Sequence, residues 1–114
     1  MNILNLLKGK IQSDHYKAGD LILRQGQQGE YMYLIQEGEL DVRIDGQYVR
    51  TLGKEEIFGE MALIDGSPYS ADIVAKTDCV VTVIDERRFL FLVHENPLFA
   101  LHVMRIMAKR LRNS

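Results

Sequence analysis

The stretch LDVRI-DG-QYVRTL, residues 40–52, constrains this chain most. Leu40, Val42 and Ile44 alternate with Asp41 and Arg43, the period-two pattern of a strand with one buried and one wet face. Asp45-Gly46 then supplies the positive φ angles of a tight two-residue hairpin turn. From about Ile11 to Asp85 the same texture continues. Short runs rich in β-branched and aromatic residues alternate with Gly-containing turns, at the roughly 8–12-residue spacing of an all-β sandwich or barrel. The predicted strands are Ile11–Tyr16, Leu21–Gln25, Tyr31–Gln36, Leu40–Ile44, Gln47–Leu52, Tyr69–Ala75 and Cys79–Ile84.

Helices flank this β body. Residues 3–8 predict a short opening helix. Asp85 is placed to cap a helix over Glu86–Glu95. Asn96 caps another over Pro97–Arg112, with Pro97 at the first position, where its missing N–H costs nothing. Leu98, Leu101, Met104, Ala108 and Leu111 recur along it at three- and four-residue steps, and Phe99, Val103, Ile106 and Met107 widen the apolar arc. Lys109, Arg110 and Arg112 suit the negative end of the helix dipole. The whole, residues 1–114, reads as one domain: a β body at about 11–85 and helices at about 86–112.

Composition excludes several classes. With 46% hydrophobic and 26% charged residues the chain is neither disordered nor fibrous. Fourteen basic against sixteen acidic residues leave a net charge of −2, which argues against nucleic acid, and no DNA-reading element appears. No apolar run approaches the ~18 residues of a membrane span, and no signal peptide opens the chain. A single cysteine, Cys79, fits a reducing compartment and reads as a small core residue. A cytoplasmic domain is the expectation. His15, His94 and His102 stand far apart and pair with no acid or thiol at metal-ligand spacing. GQQGE lacks the Lys-Ser/Thr of a phosphate loop and reads as a turn. Nothing here assembles a catalytic constellation, so the chain is not read as an enzyme.

The informative segment is residues 57–75, IFGEMALIDGSPYSADIVA. It reads as a strand end, a glycine, a short helical stretch, a turn and a new strand. Gly59 permits close approach to the backbone, and Glu60 at the helix start can accept hydrogen bonds from a ligand diol. The plainer reading gives Gly59 only the turn and Glu60 only the complement of the positive helix end.

Phe58, Gly59, Glu60, Met61, Ala62, Leu63, Gly66, Pro68, Ser70 and Ala71 match the phosphate-binding cassette of the cyclic nucleotide-binding domain family, and the chain resembles that family over nearly its whole length. The resemblance implies a mainly β fold, an eight-stranded antiparallel jelly-roll-like barrel with flanking N- and C-terminal helices. It implies a regulatory domain whose ligand is cAMP or cGMP. By the same resemblance Glu60 takes the ribose hydroxyl, while Phe58, Gly59, Met61, Ala62, Tyr69, Ser70, Ala71 and Asp72 complete the ligand surface.

Two positions depart from the pattern. Tyr69 stands where the family has the phosphate-binding Arg, and Asp72 where it has Thr or Ser. Losing a charge-assisted Arg–phosphate pair costs about 1.5–3 kcal/mol. If Asp72 faces the phosphate at about 6 Å, repulsion adds about 2.8 kcal/mol at an effective dielectric near 20. The sum predicts cyclic nucleotide affinity lowered on the order of a thousandfold. Local charge points the same way: between Glu55 and Asp85 seven acids face one base, Lys76, unless Arg24, Arg43 or Arg88 folds over the pocket. Both cAMP and cGMP are therefore disfavoured by Tyr69 and Asp72. The competing reading is a protein-interaction module with a non-functional pocket, pairing with a second copy through Leu101, Met104, Ala108 and Leu111.

Overall fold

The hairpin turn forms as its two residues require. Asp45 and Gly46 sit at φ 53° and 79°, and Ile44 pairs with Gln47 directly across them. The computed structural model describes residues 12–113; the opening helix expected at residues 3–8 and the predicted strand start at Ile11 lie outside them. Among these residues eight strands form: β1 Ser13–Tyr16, β2 Leu21–Leu23, β3 Met32–Glu37, β4 Leu40–Ile44, β5 Gln47–Leu52, β6 Ile57–Phe58, β7 Asp72–Ala75 and β8 Cys79–Ile84. They make two antiparallel four-stranded sheets, in the orders β1-β8-β3-β6 and β2-β7-β4-β5. Among the described residues three helices accompany them: α1 Glu60–Asp65, α2 Glu86–Glu95 and α3 Leu98–Arg112.

The alternation of β3 explains the layering. Tyr33 and Ile35 join the core shared with Leu40, Leu52, Ile73 and Val81, between the sheets. Met32 and Leu34 join Ile57, Ile84, Leu92, Phe99 and Val103, under the helices. One sheet is thus buried on both faces, and the order is helices, sheet, sheet. The two-residue β6 makes the same division, Phe58 inward and Ile57 toward the helices. A strand that short carries no periodicity, so from sequence Ile57–Phe58 reads only as a strand end.

Two predicted strands are shorter than expected, one at its end and one at its start. Arg24 and Gln25 turn away after β2, with Gln27 N–H donating to the Arg24 carbonyl at 3.1 Å. Tyr69 to Ala71 precede β7 as loop, because Tyr69 is bonded to the GQQGE turn instead. Gly26 N–H donates to the Tyr69 carbonyl at 2.8 Å, and Tyr69 N–H donates to that of Gln27 at 3.0 Å. The helix caps match expectation: Arg88 N–H donates to the Asp85 carboxylate at 2.8 Å, and Leu98 N–H to Asn96 Oδ1 at 3.1 Å. Helix α3 begins at Leu98, one residue after the predicted Pro97.

Candidate functional site

Chain direction builds the site. β6 delivers Phe58 into the core, Gly59 turns the backbone at φ 76°, and α1 starts at once with Glu60. Only glycine suits Gly59, for a Cβ there would lie 3.0 Å from the Tyr31 carbonyl and 3.2 Å from Tyr69 Cε1. The six residues of α1 end at Gly66, φ 75°, and residues 67–71 lead back to β7. Phe58, Gly59, Glu60, Met61, Ala62, Tyr69, Ser70 and Ala71 all border one cavity of about 350 Å³, within the usual span for small-molecule pockets. Val42, Ile44, Arg50 and Leu52 of the β4–β5 hairpin line it too, as do Ile73 of β7 and Met107, Arg110 and Leu111 of α3. The expected ligand-facing residues therefore converge, with one exception, Asp72.

Asp72 does not line the cavity. Its carboxylate accepts the Gln25 N–H at 2.7 Å, fixing the end of β2 to β7. The orientation that the expected repulsion presupposes is not found, because strand alternation sets Asp72 on the opposite side from the inward-facing Ile73. The wider acidic field is also corrected. Glu56, Asp65, Asp78 and Asp85 accept N–H groups from Gly53, Ser67, Ala18 and Arg88, and none lines the cavity. Those Ser67 hydrogen bonds also hold the Asp65 carboxyl below its usual range. Of the seven acids only Glu60 faces the cavity. Arg24, Arg43 and Arg88 do not reach it; the two arginines that do are Arg50 and Arg110.

Glu60 is nearly buried, its side chain 8% exposed, and Arg110 Nη1 donates to its Oε1 at 2.6 Å. Arg110 Nη2 also donates to the Ile57 carbonyl. One guanidinium thus joins the last turns of α3 to the cassette fifty residues away. The sequence reading placed Arg110 among helix-dipole charges. The missed signal was its spacing: Phe99, Val103, Ile106, Met107 and Arg110 form one stripe at helical steps, the first four buried or half-buried against the core.

Tyr69 is a plug. It is buried, and its hydroxyl donates to the Tyr31 carbonyl at 3.2 Å. Its ring lies so close over Gly29 that a Cβ there would fall 2.2 Å from the phenol oxygen. Beside it, Tyr33 stacks on Phe58 with centroids 4.8 Å apart. Burial, and then its charge interaction and hydrogen bond with Tyr69, push the Tyr33 phenol well above its ordinary value.

The model of the cyclic nucleotide-binding domain family matches residues 13–96. The chain belongs to the cyclic nucleotide-binding domain family. A cAMP-dependent protein kinase regulatory subunit of Eremothecium gossypii is 38% identical over 87 residues, covering 76% of this chain and 18% of that protein. The catabolite activator protein of Thermus thermophilus superposes with a TM-score of 0.80 at 31% identity, over 95% of this chain and 58% of that one. A cyclic nucleotide-binding domain from Methylobacillus flagellatus superposes with a TM-score of 0.80 at 27% identity, over 90% and 63%. This cyclic nucleotide-binding domain therefore spans under a fifth of the regulatory subunit it matches. None of its described helices is long and apolar enough to cross a membrane.

Proposed function

We propose that residues 1–114 act as one regulatory, ligand-sensing module in which occupancy of the cassette cavity is reported through α3. The observation that carries this reading is the Glu60–Arg110 pair. In the family pattern the cassette Glu accepts a ligand hydroxyl; here Arg110 already holds that carboxylate. A ligand that takes Glu60 competes with Arg110, and so favours one arrangement of α3 over another. Such differential binding is what a sensor needs.

Cyclic nucleotide affinity is reduced, by less than the sequence argument implied. Without repulsion from Asp72, the loss comes from Tyr69 alone. One missing charge-assisted pair, about 1.5–3 kcal/mol, corresponds to about 10–150-fold. Calorimetric titration with cAMP and cGMP tests this. The expected result is weak binding by the natural chain and at least tenfold tighter binding by Tyr69→Arg. Submicromolar binding by the natural chain, unchanged in Tyr69→Arg, would refute it.

One observation favours a second reading, an interaction module. Leu98, Leu101 and Met104 of α3 and Leu90 of α2 are exposed, Met104 by 57%. Ala108 and Leu111 are exposed as well, and Leu111 also borders the cavity. Self-association through this face predicts a sedimentation coefficient that rises with concentration and falls back in Met104→Lys.

A further inference from the structure

Arg50 owes its place in the cavity wall to one extra residue. Leaving the Asp45-Gly46 turn, Ile44 pairs with Gln47 and Arg43 with Tyr48, but Val42 then pairs with Arg50. Val49 is skipped. An unbroken ladder would set Val49 opposite Val42, on the inward face. The bulge instead turns Val49 outward, 41% exposed, and brings Arg50 and then Leu52 inward. A regular hairpin would line this wall with valine; the fold lines it with a guanidinium.

Arg50 is half-buried and lines the cavity together with Val42, Ile44 and Leu52, and no acceptor among the described residues pairs with its guanidinium. Arg110, by contrast, has two acceptors. The cavity carries two guanidiniums and one carboxylate, and that carboxylate is matched. Arg50 is the uncompensated charge, in apolar surroundings where an unpaired cation is costly.

We propose that Arg50 is the anion anchor of this cavity and that its occupant is a small carboxylic acid with an apolar body. The proposal rests on reading the cavity as a ligand site. The guanidinium fork fits carboxylate and phosphate alike, so the other walls decide. A sugar's hydroxyl would have to displace Arg110 to reach Glu60, and the Tyr69 hydroxyl already gives its one proton to the Tyr31 carbonyl. Val42, Ile44, Leu52 and Ile73 offer apolar surface instead, which a hydrocarbon body covers at no loss of hydrogen bonds.

Octanoate and phenylacetate are titrated by calorimetry into the natural chain, Arg50→Gln and Arg50→Lys, with cAMP and cGMP as parallel arms and thermal melts as the folding control. The expected result is carboxylate binding, weakened at least tenfold in Arg50→Gln and partly regained in Arg50→Lys. Carboxylate binding indifferent to both substitutions, or no carboxylate binding, overturns the proposal. Cyclic nucleotide binding that depends on Arg50 while carboxylates fail overturns the ligand class. Hydrogen exchange of α3 separates this proposal from the sensor reading. A carboxylate that needs Arg50 but leaves α3 unchanged defeats the sensor and keeps the anchor. Cyclic nucleotide that protects α3 whatever stands at position 50 does the reverse.

Discussion

Arg110→Ala leaves the Glu60 carboxylate nearly buried and without its cation. The expected cost is about 1.5–3 kcal/mol, the range for a hydrogen bond to a charged group, read from denaturant unfolding. Tyr69→Phe keeps the buried ring and removes its hydroxyl's bonds to the Tyr31 carbonyl and to Tyr33, so about 1–2 kcal/mol is expected from the same measurement. Burial is the main cause that raises the Cys79 thiol, and its Sγ donates to the Glu39 carbonyl. Little thiolate forms, so iodoacetamide at about pH 8 should alkylate Cys79 far more slowly in the folded chain than in denaturant. At this scale the sequence showed which residues the cassette brings together but not where the charges point. Asp72 differs from its expected role only by the parity of β7. Arg110 looked like a solvated helix end because its stripe is visible only once Phe99 and Val103 are known to face the core.

Helix α3 docks through Phe99, which is fully buried and lies 5.6 Å from the Phe89 ring. Phe99→Ala should cost about 3–5 kcal/mol and speed hydrogen exchange in α3 ahead of the strands. Most elements were legible because their signals are local: Asp45-Gly46 sets its own hairpin, and Asp85 and Asn96 cap their own helices. Two features were not. β6 holds two residues, and its pairing of Tyr33 with Phe58 and of Leu34 with Ile57 is made entirely across the sheet. The Val49 bulge shifts the register midway along β5, where the adjacent Tyr48-Val49 and Arg50-Thr51 pairs leave no clean alternation to say which parity faces inward, and Arg50 moves with it.

For the whole molecule, alkaline pH reports on the buried tyrosines. Burial first raises the phenols of Tyr33 and Tyr16, helped by Tyr69 for the former and by Asp14 and Asp20 for the latter. The folded state therefore holds protons that the unfolded chain releases near the ordinary tyrosine value of about 10. The stability they contribute is complete below that pH and is lost as pH rises through the higher folded values. Melting temperature should fall as pH rises above about 10, and less steeply in Tyr33→Phe. The central claim, that the cassette and α3 form one coupled unit, meets its most direct test in a double-mutant cycle of Glu60→Gln and Arg110→Ala, read by hydrogen exchange along residues 98–112. A coupled pair predicts that either substitution loosens this helix and that the two together loosen it clearly less than the sum of their separate effects. Independent, additive effects, or an α3 whose exchange neither substitution changes, would contradict the account.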